Sequence, residues 1–180
     1  MKRIFLVGYM GAGKTTIGKE LSGQMHLSFI DLDYFIEGRY HKTVSQLFAE
    51  RSEEGFRKIE QNTLHEVAGF EDIIISTGGG APCFYDNMSF MNLTGTTVYL
   101  RVSAQELANR IEPCKYTRPV LSHLSGEELT RFVAASLAER SPYYEQAHIT
   151  FDAETINSTT DRTNIGLKLK EKILFLNEEC

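Results

Sequence analysis

The sequence predicts a three-layer α/β/α fold, in which helices cover both faces of a mainly parallel sheet of five strands. Short apolar runs alternate along the 180 residues with longer segments that mix polar and apolar side chains, as βαβ crossovers do. A glycine-rich turn lies between the first apolar run and the first longer segment. The runs are continuously apolar, as expected of strands that are buried on both faces.

Five short apolar runs predict the strands, and five longer segments predict the helices. The strands are expected at residues 4–7, 27–30, 73–75, 98–100 and 148–151, and the helices at 14–25, 53–68, 104–110, 127–140 and 160–176. Within helix 53–68, apolar positions recur at spacings of three and four, which would turn one face toward the sheet. Ser52 is the predicted N-cap of that helix.

Length and composition favour one globular domain spanning residues 1–180. The chain is 42% hydrophobic and 24% charged with a net charge of −5, so it has no general attraction for nucleic acid. No apolar run approaches the ~20 residues that a membrane span needs. Cys83, Cys114 and Cys180 lack metal-ligand spacing and fit reduced cytosolic thiols. We therefore expect a cytoplasmic monomer that binds neither nucleic acid nor membrane.

Residues 111–125 have little periodicity and contain Pro113 and Pro119. They precede a helix that Ser125 could cap. We interpret this segment as a mobile lid. The alternative is an ordinary surface loop. Arg118 argues against this alternative, because its side chain could reach a bound ligand.

The segment from Gly8 to Thr15 reads GYMGAGKT and satisfies the P-loop pattern GxxxxGK[ST]. Backbone N–H groups of such a loop surround phosphate oxygens, the lysine adds a cation, and the hydroxyl ligates Mg²⁺. The pattern alone does not separate switch GTPases, ATPases and metabolite kinases. The predicted ATP-binding residues in this segment are Gly11, Ala12, Gly13, Lys14, Thr15 and Thr16.

Two carboxylates, Asp31 and Asp33, follow the second predicted strand at the edge of the sheet where ligands collect. We assign Asp31 to the shell of one Mg²⁺ ion through water, together with the Thr15 hydroxyl. Asp33 is assigned to the hydroxyl that attacks the phosphate. A capping or turn role is the alternative for Asp31.

Arg57 and Glu60 lie three residues apart on a predicted helix, so the carboxylate could orient the guanidinium toward a substrate carboxylate. Taken alone, a solvated surface pair is the commoner meaning of this spacing. Three consecutive glycines, at positions 78–80, follow the third strand. They favour close contact between backbone and ligand, and a tight turn with positive φ is the competing interpretation.

Six motifs follow one another along the chain: GYMGAGKTT, DLD, FRKIE, STGGGAP, Arg118 with its following proline, and RSPYYEQA from Arg140. Taken together, they resemble shikimate kinase in order and spacing over about the first 150 residues. The resemblance implies a nucleoside-monophosphate-kinase-like P-loop fold. It further implies transfer of the γ-phosphoryl group of ATP to the 3-hydroxyl of shikimate, on the route to chorismate and aromatic amino acids.

The resemblance also implies roles for individual residues. Asp33 would contact ring hydroxyls, Arg57 and Arg140 would hold the substrate carboxylate, and Gly79 would offer a backbone contact. Arg118 would reach from the lid to the ATP phosphates, so that Lys14, Asp33 and Arg118 form the catalytic set. For Arg140, a helix C-terminal cation is the structural alternative.

The chain departs from the family pattern at residues 149–156, where an Asp-Thr pair, basic residues and a proline usually surround adenine. The resemblance therefore does not predict how this chain binds the base. Rival functions are a kinase for another hydroxy acid such as gluconate and a P-loop switch, although a switch would need no second ligand site.

Overall fold

The computed structural model describes residues 2–117, 121–156 and 158–178, except for the side chains of residues 116, 117, 177 and 178. Its centre is a five-stranded sheet with strand order β2-β3-β1-β4-β5, and every pair of neighbours is parallel. All five predicted strands are confirmed within one or two residues. Their bounds are Arg3–Val7 (β1), Ser28–Asp31 (β2), Ile73–Ser76 (β3), Thr96–Arg101 (β4) and Ile149–Asp152 (β5).

The pairing register aligns the carboxyl ends of the three strands that carry the motifs. Ser76 at the end of β3 pairs with Leu6 on one side and with Asp31 on the other. The P-loop, the Asp31–Asp33 segment and the glycine turn therefore leave the sheet at one edge. Such an edge is where ligands bind in open α/β sheets.

Seven α-helices and two 3₁₀ helices connect or cover the described strands. The α-helices are Lys14–Met25 (α1), Leu32–Tyr40 (α2), Val44–Val67 (α3), Asn87–Thr94 (α4), Ala104–Ile111 (α5), Gly126–Tyr144 (α6) and Thr159–Glu178 (α7). The 3₁₀ helices are Ala81–Cys83 and Glu112–Thr117. All five predicted helices are present, whereas α2, α4 and the first half of α3 were not predicted.

The predicted start of helix 53–68 is confirmed. Ser52 has the non-helical values φ 61° and ψ 172°, which divide α3 at a kink into two helices, and its hydroxyl accepts a hydrogen bond from Gly55 N at 3.5 Å as an N-cap does. The first of the two helices was not predicted. It begins at Val44, where a capping box forms: Gln46 N donates to Thr43 Oγ1 at 3.2 Å and Thr43 N donates to Gln46 Oε1 at 2.8 Å.

The kink also explains Gly55. A Cβ on Gly55 would lie 3.0 Å from the Cβ of Arg51, which the kink brings close. Ser125 is the N-cap residue of α6, as predicted, but only by its position. Helix α6 does begin beside Ser125, but that side chain makes no capping hydrogen bond within the described part of the chain.

The core lies on both faces of the central strand β1, whose residues from Ile4 to Val7 are fully buried. Helix α1 packs against the sheet through Ile17, Gly18 and Leu21, and α7 packs on α1. In the described ranges, no helix combines the length and the apolar character that crossing a membrane requires.

We predict that Gly18→Ala destabilises the protein by about 1–3 kcal/mol, because overpacking a filled core has that cost. A Cβ on Gly18 would lie 2.4 Å from a ring carbon of Phe29 and 3.1 Å from Leu6. The control is Gly23→Ala in the same helix, where no atom lies within 4 Å. It should stabilise the protein by up to about 1 kcal/mol through helix propensity. Urea unfolding measures both, and equal effects would contradict the packing.

Candidate active site

Residues of the P-loop, of the Asp31–Asp33 segment and of the glycine turn line one cavity of about 340 Å³ at the carboxyl edge of the sheet, whereas Arg57 and Arg140 are not part of its lining. Two larger clefts of about 600 and 550 Å³ lie elsewhere, the first between α5 and α6 and the second at the amino ends of β1 and β4, and the predicted site residues line neither. The cavity at the carboxyl edge brings together most of the predicted site residues. Its lining comprises Met10, Gly11, Gly13, Lys14, Thr15, Thr16, Asp31, Asp33, Ser76, Thr77, Gly79 and Arg110.

The P-loop has the backbone that its sequence predicts. Gly8, Gly11 and Gly13 adopt positive φ values of 138°, 80° and 92°, which glycine tolerates and other residues rarely adopt. Gly13 is the N-cap of α1, so the first N–H groups of the helix face the cavity edge. The buried Lys14 ammonium donates to Gly8 O at 2.8 Å and Tyr9 O at 2.9 Å. The loop therefore presents a fixed cation beside a helix amino end.

Asp31 has two functions in the structure. Its Oδ1 accepts hydrogen bonds from Asp33 N at 3.1 Å and Tyr34 N at 3.3 Å, so the predicted capping alternative is correct. Its Oδ2 accepts a 2.6 Å hydrogen bond from the Thr15 hydroxyl. A hydroxyl and a carboxylate thus meet beside the P-loop backbone and Lys14, which together form the predicted phosphate cradle. Oxygen atoms of this kind are the ligands that Mg²⁺ takes. The donor set fits the predicted metal position.

Asp33 lies in the first turn of α2, where the chain has just left β2. Burial, with a smaller contribution from the charge of Asp31, raises the pKa of Asp33 to about 6. A carboxyl with a pKa near the working pH can accept a proton as well as orient a hydroxyl.

Arg57 and Glu60 form a buried pair, so the solvated alternative for them was wrong. Arg57 is 8% exposed and Glu60 is 1% exposed, and Arg57 Nη1 donates to Glu60 Oε2 at 2.7 Å. Glu53 accepts a longer hydrogen bond of 3.4 Å from Nη2. Burial raises the pKa of Glu60 to about 7 although the Arg57 charge opposes the shift.

The glycine turn at 78–80 owes its composition to close packing, because none of the three glycines has a positive φ. A Cβ on Gly78 would lie 2.7 Å from a Glu60 oxygen and 2.8 Å from an Asp33 oxygen. On Gly79 it would lie 3.1 Å from the backbone nitrogen of Met10 in the P-loop. On Gly80 it would lie 2.5 Å from the Arg57 guanidinium.

Arg140 lies on α6 beside the P-loop, with its guanidinium carbon 5.4 Å from the centre of the Tyr9 ring. Helix α6 continues to Tyr144, so Arg140 is not in the last turn and the C-terminal cation alternative was wrong. The charges of Arg57 and Arg140 both lower the pKa values of Glu60 and Cys83, which burial raises. The two guanidiniums therefore act on the same region.

Tyr144 links α6 to the glycine turn and was not predicted as a site residue. It is fully buried, and its hydroxyl donates to Gly79 O at 2.5 Å. Burial raises its pKa well above the usual range, so the phenol stays protonated and able to donate. The sequence places it one helical turn after Arg140, but nothing local indicates its partner.

Arg110, near the end of α5, contacts the P-loop and lines the cavity at the carboxyl edge. Its guanidinium donates to Gly11 O at 3.4 Å, Ala153 O at 3.0 Å and Glu154 O at 2.6 Å. Part of the segment that departs from the family pattern is thereby tied to the loop. Ile156 also packs there, since a Cβ on Gly13 would lie 2.6 Å from its Cδ1.

The predicted lid is only partly covered by the structure. Arg118 lies outside the described residues. Of the flanking residues, 112–117 form a 3₁₀ helix, and Lys115 and Leu121 are buried. Lys115 Nζ donates to Glu112 at 2.6 Å and to Leu124 O at 2.8 Å. These contacts give both ends of the segment a defined path, and its closure remains a prediction.

A parallel sheet with a P-loop after β1, and with a carboxylate and two arginines beside it, defines the protein as a P-loop kinase. A family model described as shikimate kinase matches residues 10–170. The shikimate kinase of Parabacteroides distasonis is 70% identical over 166 residues, which are 92% of this chain and 96% of that protein. The chain therefore belongs to the shikimate kinase family.

Solved structures agree with this assignment. The crystal structure of shikimate kinase from Bacteroides thetaiotaomicron is 50% identical and superposes with a TM-score of 0.91, covering 94% of this chain and 97% of that one. Shikimate kinase from Acinetobacter baumannii, in complex with shikimate, is 32% identical with a TM-score of 0.85. That alignment covers 97% of this chain and 93% of the other.

We predict that the stability of Glu60→Gln relative to the parent rises as the pH increases from 4.5 to 7. A raised folded-state pKa means that the native protein binds more protons than the unfolded chain in this window, so the parent loses stability as pH rises. Glutamine resembles the protonated carboxyl and does not titrate. The relative gain should be about 1–3 kcal/mol by urea unfolding. A relative loss over the same window would mean that ion pairing with Arg57 outweighs burial.

Proposed function

We propose that the protein transfers the γ-phosphoryl group of ATP to the 3-hydroxyl of shikimate, giving shikimate 3-phosphate and ADP. The observation that carries this proposal is the buried Arg57–Glu60 pair, which lies next to Asp33 and the P-loop at the same edge of the sheet. Family membership and the shikimate complex of the Acinetobacter relative support the choice of acceptor. The product would lead to chorismate and the aromatic amino acids.

Arg57 and Arg140 would hold the carboxylate of the acceptor. Glu60 occupies one terminal nitrogen of Arg57 and fixes the plane of the guanidinium. Arg57 Nε is buried and has no hydrogen-bond partner among the described residues, so it can donate to an incoming anion. Two guanidiniums bind a carboxylate more selectively than two ammonium groups, because their donors are planar and directional.

Asp33 would contact the reacting end of the acceptor. With its pKa raised to about 6, its carboxylate can accept a hydrogen bond, and at most a proton, from the attacking hydroxyl. Gly79 would add a backbone contact, held by Tyr144 and by the P-loop at Met10. The hydroxyl would thereby be directed toward the phosphate cradle.

The cradle would bind ATP through the N–H groups of residues 11–16 and through Lys14. Lys14 now donates to two P-loop carbonyls, and the same donors would move to phosphate oxygens on binding. Thr15 and, through water, Asp31 would hold one Mg²⁺ ion, which neutralises phosphate charge when bound. Arg118 is proposed as a further cation that contacts the phosphates. This role is based only on its position in the Arg-Pro motif.

The proposal includes a single kinase domain over residues 1–180, with a lid at about 111–125 that excludes water when it closes. We also propose a cytoplasmic monomer with shikimate and ATP as its partners and without affinity for nucleic acid or membrane.

The proposed function predicts ADP release that depends on both MgATP and shikimate. A coupled assay should compare shikimate with gluconate, a nucleoside monophosphate and no acceptor. In the presence of MgATP, turnover is expected only when shikimate is the acceptor. Lys14→Met should lower it by about 100-fold or more, since one preorganised cation near the reacting phosphate has that effect.

Turnover with gluconate instead of shikimate would leave the assignment as a kinase intact but would overturn the proposed roles of Arg57 and Arg140. Acceptor-independent hydrolysis, or none at all, would favour the switch. Exposed Arg131→Met, on α6 and outside the lining of the cavity at the carboxyl edge, serves as the matched charge control and should behave as the parent.

A further inference from the structure

Three aromatic rings surround the guanidinium of Arg57. The Phe84 ring centre lies 4.1 Å from the guanidinium carbon, whereas those of Phe48 and Phe56 lie at 5.3 and 5.5 Å. Phe48 and Phe56 stack on each other with centres 4.3 Å apart. Phe84 is therefore the ring in closest contact with the cation, at a distance typical of a strong cation–π interaction.

The backbone fixes the position of Phe84. Phe84 directly follows the 3₁₀ helix Ala81–Cys83. The fully buried Asn87 closes the turn, because its side chain donates to Ala81 O at 2.9 Å and its N–H donates to Phe84 O at 3.3 Å. The same segment begins at Gly80, whose backbone lies against the guanidinium. One short segment thus supplies two of the surfaces that contact Arg57.

We propose that Phe84 is a positioning residue that sets the affinity for the acceptor through Arg57. This inference rests on the proposed role of Arg57 in binding the acceptor carboxylate. Contact with the ring face leaves the N–H donors, which lie in the guanidinium plane, available to carboxylates. Glu60 and Glu53 accept from the two terminal nitrogens, and Nε remains for the acceptor.

The ring contributes in two physical ways. Its negative face attracts the cation, and its bulk keeps water from a guanidinium that is only 8% exposed. Fixing the side chain before binding also reduces the entropy lost when the acceptor arrives. Both effects act on the affinity for the acceptor and not on the phosphate cradle.

The test compares Phe84→Leu with Tyr85→Leu in steady-state kinetics. We expect Phe84→Leu to raise KM for shikimate by about 3- to 30-fold, the range that one cation–π contact gives, while kcat and KM for ATP change less than about twofold. Phe84→Tyr keeps the ring and should restore the parent KM. Tyr85 is the matched control because it is the neighbouring exposed aromatic, with its ring 5.5 Å from Lys58 Nζ. Tyr85→Leu should leave all constants unchanged.

A double-mutant cycle with Arg57→Lys separates this inference from the proposed function. Phe84→Leu should add less than about twofold to KM in the Arg57→Lys background, because the planar cation is already gone. If Arg57→Lys raises KM and Phe84→Leu does not, the inference about Phe84 is wrong and the role of Arg57 stands. If Arg57→Lys leaves KM unchanged, the role of Arg57 itself is wrong. Phe84→Met replaces the leucine variant, with the same expectations, if the latter does not fold.

Discussion

The site depends on how closely the glycine turn at 78–80 approaches its neighbours. Asp33, Glu60, Arg57 and the P-loop backbone each lie within about 3 Å of the point that a Cβ on this turn would occupy. The turn can therefore serve as a shared wall between the phosphate cradle and the proposed acceptor region. Without side chains there, groups from α2, α3 and the P-loop can pack directly against the same turn.

This arrangement concentrates charge where water is scarce. Asp33 and Glu60 both have pKa values raised by burial, and the charge of Asp33 further opposes the ionisation of Glu60. The Arg57 charge lowers both pKa values, which keeps the carboxyls able to ionise near neutral pH. Arg57 is already desolvated and oriented before an acceptor carboxylate binds. This preorganisation favours binding of a small carboxylate.

The parts of the fold that were predicted correctly have signals that are local in sequence. The P-loop glycines need positive φ, and α1 begins where its motif ends, so residues 8–25 could be predicted from spacing alone. Helix α2 was missed because β2 runs into it without a loop, with Asp31 ending one element and capping the next. The burial of Arg57 could not be predicted from its helix, because it depends on Gly80 and Phe84, which come from a distant segment.

The most direct measurement is the turnover of Gly78→Ala, together with its affinity for MgADP. The added methyl would lie 2.7 Å from Glu60 and 2.8 Å from Asp33, so both carboxylates must move. We expect turnover to fall by about 100-fold while MgADP affinity stays within about threefold, because misplacing groups by an ångström has effects of that size. Gly38→Ala, at an exposed position of α2 with no atom within 4 Å, should match the parent. Parental turnover in Gly78→Ala would contradict the dependence of the acceptor site on this close approach.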